Sequence, residues 1–183
     1  DVILTVDSFL TPEQVGAIIR TYKKRKFSPA RIVGRDGSHS VDTNTRNVTE
    51  FSIVRNEKSM TDIHWCNFLI AKIRDLSQMY CNKHEVYERP QRVEIINMLR
   101  YEKGGYYTKH IDDGHDTPRT LSVIIFLNND YKGGGLEFSF LNSSFKIEPA
   151  AGKAIIWPSN FLFPHTVFKV EEGIRYALVS WLR

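Results

Sequence analysis

The sequence predicts a mainly β domain of the α+β class, in which helices near the amino terminus pack on one face of an antiparallel double sheet. Two observations predict this class: helical periodicity is confined to the first half of the chain, and a run of short strand-like segments follows Pro90. With 183 residues, 42% of them hydrophobic, the chain can bury a substantial core. We therefore expect residues 1–183 to form a single domain.

The first helix is predicted by its capping residues. Thr11 can cap the helix, Pro12 suits its first position, and Gln14 completes a capping box. A one-sided apolar stripe then continues the helix to about Lys26.

A second helix is predicted from about residue 61 to residue 82 by its apolar periodicity. Cys66 and Cys81 both fall within it, about 22 Å apart at a rise of about 1.5 Å per residue. A disulfide cannot span that distance, so we expect two free cysteines, which suits a reducing compartment.

The segments after Pro90 are short, rich in β-branched or aromatic residues, and separated by Gly and Asn turns. We predict strands at residues 93–101, 120–128, 135–140, 144–149, 153–158, 165–170 and 174–182. A jelly-roll barrel is one closure of such strands, and its mouth would suit a small ligand. Residues 28–50 are polar and Gly-rich: short strands stay an open alternative here, while the middle predicts a mobile loop, and loops of this length are often functional.

The charge pattern gives no support for a nucleic-acid or membrane partner. The net charge is +4, but the basic residues are mostly scattered, and we interpret the cluster Lys23–Lys26 as the solvated end of a helix. No apolar run approaches the length of a membrane helix. No signal-peptide pattern opens the chain, which favours a cytoplasmic location, although a targeting segment lost ahead of Asp1 stays an open alternative.

The motif His110-Ile111-Asp112 is a candidate metal site. At the end of a strand, residues i and i+2 point to the same face, so one imidazole and one carboxylate can bind one ion. His165, at the start of a late predicted strand, is the candidate third ligand. Two His and one Asp suit iron(II), with three positions left open, but the same donors with a water also suit catalytic zinc. An ordinary polar loop is the remaining interpretation.

Arg175 lies ten residues after His165, in a predicted strand with apolar neighbours. A buried guanidinium needs an anionic partner. That partner is either a structural salt bridge or the carboxylate of a ligand, held by two hydrogen bonds. Tyr101, at the end of the strand before the metal motif, could add a hydroxyl.

Five segments of the carboxy-terminal half together resemble the prolyl 4-hydroxylase branch of the iron(II)/2-oxoglutarate oxygenases. They are RYEKGGYYTKHID, RTLSVIIFLNNDYKGGGLEF, AGKAIIWPS, PHTVFKV and GIRYALVSWLR. They follow one another in the family's order over about residues 93–183. Residues 1–92 carry nothing diagnostic.

This resemblance implies a double-stranded β-helix core, of the jelly-roll or cupin-like type, in residues 93–183. Residues 1–92 would then be helical support, with residues 28–50 as a candidate substrate lid. The resemblance selects iron(II) as the metal. It implies that His110, Asp112 and His165 bind the iron and are the catalytic residues.

The resemblance also implies that Arg175, assisted by Tyr101, binds the distal carboxylate of 2-oxoglutarate. One position departs from the family pattern: some relatives carry a second Tyr on the strand where this chain has Phe126. Because Phe lacks a hydroxyl, we expect that contact to be missing here.

The implied activity is hydroxylation of a C–H bond, foremost prolyl 4-hydroxylation of a peptide or protein. The implied co-substrates are 2-oxoglutarate and O2, which yield succinate and carbon dioxide, and ascorbate binding is implied as well. Arg119 and Trp181 are the candidate substrate-binding residues, with a surface charge and core packing as their respective alternatives. Asp113 and His115 are expected to be loop residues without a metal role.

Three other functions stay open at the level of sequence. A related oxygenase acting on another residue, a free amino acid or a small molecule would carry the same motifs. The second alternative is a non-catalytic β-helix binding domain, although the presence of all four key residues argues against it. A zinc hydrolase is the third, although it would have no use for Arg175 in its pocket.

Overall fold

The computed structural model describes residues 2–33 and 38–183, which form two helices and sixteen strands. The helices are α1 Pro12–Tyr22 and α2 Met60–Lys83. The strands are β1 Leu4–Val6, β2 Ser28–Pro29, β3 Ile32–Val33, β4 His39–Ser40, β5 Arg46–Asn47, β6 Thr49–Ile53, β7 Ile96–Tyr101, β8 Tyr106–His110, β9 Leu121–Phe126, β10 Lys132–Gly133, β11 Leu136–Phe140, β12 Ser143–Ile147, β13 Ala154–Pro158, β14 His165–Val167, β15 Val170–Glu172 and β16 Arg175–Leu182. Within these ranges, neither helix is long and apolar enough to cross a membrane.

Two antiparallel sheets make up the body of the fold. The major sheet has seven strands in the order β1-β13-β9-β16-β7-β6-β2, and the minor sheet has five in the order β12-β11-β14-β8-β5. Two small two-stranded sheets, β10-β15 and β3-β4, complete the described part. The predicted antiparallel double sheet is confirmed.

Residues of the major sheet alternate between two cores, because successive side chains of a strand point to opposite faces. Along β16, Leu178 and Leu182 face the core that also contains the helices. Ala177, Val179 and Trp181 face the second core, which lies between the two sheets. Since Arg175 shares the register of this second set, the strand directs it between the sheets.

Both helices are close to their predicted bounds. The α1 capping box is present: the Gln14 amide donates to Thr11 Oγ1 over 3.3 Å, and the Thr11 amide donates to Gln14 Oε1 over 2.9 Å. The helix ends at Tyr22, earlier than predicted, with Lys23 as its C-cap. The prediction for α2 is correct to within one residue at each end, and Cys66 and Cys81 are buried in it as free thiols.

Three strands of the major sheet come from the amino-terminal half, β1, β2 and β6, and none of them was assigned from the sequence. β1 forms one edge against β13, and β6 pairs with β7 along its whole length. The segment 28–50, for which short strands around a loop were an open alternative, holds the two-residue strands β2, β3, β4 and β5, while residues 34–37 of this candidate lid lie outside the described residues.

The prediction of a single strand over residues 165–170 was wrong. β14 ends at Val167 and β15 begins at Val170, because the chain changes partners there: β14 pairs with β11 of the minor sheet, and β15 pairs with β10. Between them, the carbonyl of Lys169 accepts a hydrogen bond from the Gly134 amide.

Candidate active site

Three side chains converge between the sheets: His110, Asp112 and His165 each offer one ligand atom, and these atoms all lie within 4.8 Å of one another. His110 ends β8 and His165 begins β14, and the two residues are direct partners across these neighbouring strands. Asp112 follows β8 and turns back to the same face. The fold thus brings together residues that are far apart in the sequence.

Both imidazole rings are oriented by backbone carbonyls. His110 Nδ1 lies 2.7 Å from the Thr108 carbonyl oxygen, and His165 Nδ1 lies 3.1 Å from that of Phe163. A carbonyl can only accept, so each Nδ1 carries the proton and each Nε2 presents its lone pair. Each Nε2 lies 3.7 Å from a different oxygen of Asp112, which is the arrangement expected around a shared cation.

The electrostatics suit a divalent cation. Burial, aided by the neighbouring His165, lowers the pKa of His110 to about 3, so this imidazole is neutral near pH 7. Burial alone would raise the pKa of Asp112, but His165, His110 and a hydrogen bond from Ser122 hold it below its usual value. A neutral imidazole and an ionised carboxylate are the forms that coordinate metals, and the donor set fits iron(II).

Arg175 carries a guanidinium inside the inter-sheet core, where the residue is only 1% exposed. Its guanidinium carbon lies 4.8 Å from the ring centre of Tyr101, its cross-strand partner, and 5.6 Å from that of Phe126. Nε and Nη2 are buried without a hydrogen-bond partner, and none of the described carboxylates forms an ion pair with this residue. A buried cation left in this way fits an anionic ligand.

Comparisons with known proteins agree with this site. The profile of the 2OG-Fe(II) oxygenase superfamily matches residues 96–183. A PKHD-type hydroxylase of Prochlorococcus marinus (strain NATL2A) is 27% identical over 183 residues, covering 96% of this chain and 76% of its own length. Another, from Synechococcus sp. (strain CC9902), is 36% identical over 96 residues, so that 50% of this chain matches 42% of that relative.

Residues 96–183 place the carboxy-terminal half of this chain in the 2OG-Fe(II) oxygenase superfamily. Its enzyme class is therefore that of the iron(II)- and 2-oxoglutarate-dependent dioxygenases, with 2-oxoglutarate and O2 as co-substrates.

Solved structures share the fold. A prolyl 4-hydroxylase of Pseudomonas putida aligns with a TM-score of 0.77 at 20% identity, over 100% of this chain and 92% of its own. A prolyl hydroxylase from Trichoplax adhaerens, in complex with a peptide fragment of the hypoxia inducible factor oxygen degradation domain, gives 0.80 at 21% identity, over 99% and 83%.

Arg119 of this oxygenase, a candidate substrate residue, is already engaged by the protein. Its Nη2 lies 3.2 Å from the Glu94 carboxylate, and its Nη1 donates to the Asp112 carbonyl over 3.3 Å. Its guanidinium carbon lies 3.6 Å from the ring centre of Trp181, the other candidate substrate residue. Arg119 is thus more than a surface charge, because it ties Trp181 to the backbone of a predicted iron ligand.

A second arginine, Arg46 on β5, was missed by sequence reasoning. It is 8% exposed, and its guanidinium carbon lies 4.8 Å from the ring centre of Tyr107. Tyr107 in turn stacks on His110 with ring centres 3.4 Å apart. Because β5 pairs with β8, the segment predicted as a lid places Arg46 directly beside the metal-binding strand.

Three residues that flank the His110-Ile111-Asp112 motif, His115, Asp113 and Tyr106, lie outside the His–Asp–His cluster. His115 has a fully exposed side chain and lies outside the His–Asp–His cluster. Asp113 accepts a hydrogen bond from the Arg119 amide over 3.0 Å, which closes the loop after β8. Tyr106 donates to the carbonyl of Thr43 over 2.8 Å and so holds the 28–50 segment against β8.

Proposed function

We propose that this oxygenase hydroxylates a prolyl residue of a peptide or protein. The observation that carries the proposal is the His110–Asp112–His165 cluster facing the same interior as the unpaired Arg175 guanidinium. The named relatives support hydroxylation, since both are PKHD-type hydroxylases. The Trichoplax adhaerens neighbour, described with a bound peptide fragment, supports a peptide substrate.

In this proposal, His110, Asp112 and His165 hold the iron, and Arg175 binds the distal carboxylate of 2-oxoglutarate. When bound, iron and 2-oxoglutarate supply the oxidising chemistry, in which decarboxylation to succinate and carbon dioxide is coupled to insertion of one oxygen atom into a C–H bond. The protein binds, orients and excludes water. Charge-assisted hydrogen bonds from a rigid guanidinium fix the orientation of a planar carboxylate.

The protein residues around the cluster suit these tasks. Phe138 and Trp157 pack against His165, with ring centres 5.4 Å and 5.2 Å from the imidazole, and both are fully buried. Such packing locks the rotamer of a ligand and keeps water away from it. Ser122 hydrogen-bonds the Asp112 carboxylate, and Arg119 donates to the Asp112 backbone carbonyl, so both restrain Asp112.

The substrate would approach beside Tyr107, which stacks on His110, and Trp181, which contacts Arg119. Burial raises the pKa of Tyr107 to about 12, so its hydroxyl stays protonated and can donate to a substrate carbonyl. Trp181 Nε1 is buried and lacks a hydrogen-bond partner, so it is a second available donor. A proposed role for Arg119 is to hold Trp181 in place, in addition to any direct substrate contact. Ascorbate binding and a cytoplasmic location stay predictions.

The test is a hydroxylation assay with iron(II), 2-oxoglutarate and a panel of proline-containing peptides. We expect a mass increase of one oxygen atom on proline, together with succinate in equal amount. Succinate formed without any peptide product, but with a free amino acid or small molecule modified instead, would overturn the peptide assignment. No 2-oxoglutarate turnover with any substrate would overturn the activity.

A further inference from the structure

The loop after β9 places a tyrosine beside Arg175 that the sequence analysis did not consider. Tyr131 lies between β9 and β10, and its buried hydroxyl donates to none of the described residues. Burial raises the pKa of Tyr131, whereas the charge of Arg175 and a weak hydrogen bond from the guanidinium to the phenol oxygen oppose the rise, so the two side chains interact and the phenol proton stays free to donate. A buried hydroxyl without a partner is costly in a folded protein, unless a ligand satisfies it.

Glycines on both sides allow Tyr131 to reach this position. A Cβ at Gly134 would lie 3.1 Å from the Tyr131 ring and 3.2 Å from Arg175 Cδ. A Cβ at Gly173 would lie 3.2 Å from the Tyr131 Cα. Gly134 also has a φ of 62°, which favours glycine. The turn is therefore shaped so that Tyr131 and Arg175 lie against each other.

Three donors without a well-aligned acceptor thus lie in one buried place: Tyr131 Oη, Arg175 Nε and Arg175 Nη2. All three are donors at neutral pH, and none of the described carboxylates pairs with Arg175. A planar anion with two oxygens can satisfy such a set. Phe126, whose ring borders the same guanidinium, offers no hydroxyl.

Building on the proposed function, we propose that the Tyr131 hydroxyl donates a hydrogen bond to the distal carboxylate of 2-oxoglutarate, beside Arg175. The loop tyrosine then supplies the hydroxyl that Phe126 lacks on the strand. Tyr131 is a ligand-binding residue in this assignment and takes no part in metal coordination.

The test is calorimetric binding to the Mn(II)-loaded protein, which needs no turnover. The two ligands are 2-oxoglutarate and 2-oxopentanoate, which has a methyl group in place of the distal carboxylate. Tyr131→Phe should weaken 2-oxoglutarate binding about tenfold or more, as expected for a lost hydrogen bond to a charged group, and should leave 2-oxopentanoate unaffected. Tyr176→Phe is the matched control: Tyr176 follows Arg175 on β16 but packs on the helix side, so neither ligand should be affected.

Two results would overturn the assignment of Tyr131. The first is wild-type affinity of Tyr131→Phe for 2-oxoglutarate. The second is equal weakening of both ligands, which would mean that the hydroxyl only supports the shape of the site. Failure of the proposed function looks different, because the peptide assay would then give no hydroxylated proline, whatever the affinities of the two ligands.

Discussion

The guanidinium groups of Arg119 and Arg175 lie on the same side of β16, yet their surroundings differ. Arg119 meets a carboxylate, a carbonyl and an indole: Glu94, Asp112 and Trp181. Arg175 is more deeply buried and meets two aromatic rings, with Nε and Nη2 left without partners. A cation that the protein itself neutralises contributes to stability, whereas one left unpaired in the interior is costly until a ligand arrives. This difference supports the ligand-binding role that we propose for Arg175, and it shows that the protein already engages Arg119.

The comparison extends to the two carboxylates after β8. Asp112 faces both imidazoles, while Asp113 accepts a hydrogen bond from a backbone amide. Neighbouring acids thus have different tasks, because consecutive residues point in different directions. The same logic separates His110 from the fully exposed His115.

The largest expected effect comes from Asp112→Ala. Loss of the only carboxylate in the cluster should weaken iron binding by more than about 100-fold, since even outer partners of ligands cost about 10- to 100-fold. Turnover should fall to background, measured as succinate release. Asp113→Asn is the matched control, because an amide oxygen can still accept from Arg119, and near-wild-type turnover is expected. Near-normal activity of Asp112→Ala would remove Asp112 from the ligand set.

The next effect concerns 2-oxoglutarate affinity. Arg175→Met should weaken binding about 10- to 150-fold, because charge-assisted hydrogen bonds are worth about 1.5–3 kcal/mol. Arg119→Met should leave 2-oxoglutarate affinity close to wild type and should raise the KM for the peptide. Calorimetry with Mn(II) and steady-state kinetics measure the two quantities. Equal losses in both variants would erase the distinction between the two arginines.

The free energy of unfolding should respond in the opposite order, with a larger loss for Arg119→Met than for Arg175→Met. Arg119→Met leaves Glu94 with only the longer contact to Arg183, at 3.7 Å, and removes the stacking on Trp181. We expect the free energy of unfolding to fall by about 2 kcal/mol, from the lost charge-assisted bonds and the cation–π contact. Urea denaturation of the ligand-free protein measures it. Unchanged stability would mean that Glu94 and Arg119 are not coupled.

The smallest expected effect is that of Arg175→Met on the same ligand-free protein. Because the guanidinium is buried and unpaired, an apolar side chain of similar length should leave the free energy of unfolding within about 0.5 kcal/mol of wild type, or raise it. Addition of 2-oxoglutarate with Mn(II), at about 100 times the dissociation constant, should stabilise the wild type by about 2.7 kcal/mol. The variant should gain little. A large loss of stability in the ligand-free variant would indicate a structural role for Arg175.

Helices and strands were predicted well where residues close together in the sequence specify them. The capping box at Thr11 and Gln14 is present, and α2 agrees to within one residue at each end. Most predicted strands also appear, since period-two alternation reports which face is buried. β6 was missed although Thr49–Ile53 alternates between polar and less polar residues, because the segment is short and its burial is decided by pairing with β7, about 45 residues later in the chain.

The amino-acid sequence by itself determined which residue types are available for the chemistry: His110, Asp112, His165 and Arg175, in the spacing that carried the family resemblance. Only the tertiary structure decided which residues lie in contact around the site. It paired Arg119 with Glu94, placed Arg46 over Tyr107 and Tyr107 on His110, and brought Tyr131 to Arg175. These contacts join residues from different strands and loops, and strand register and turn geometry set them. No local pattern records that information, because a side chain's partner depends on the strand that the fold lays beside it.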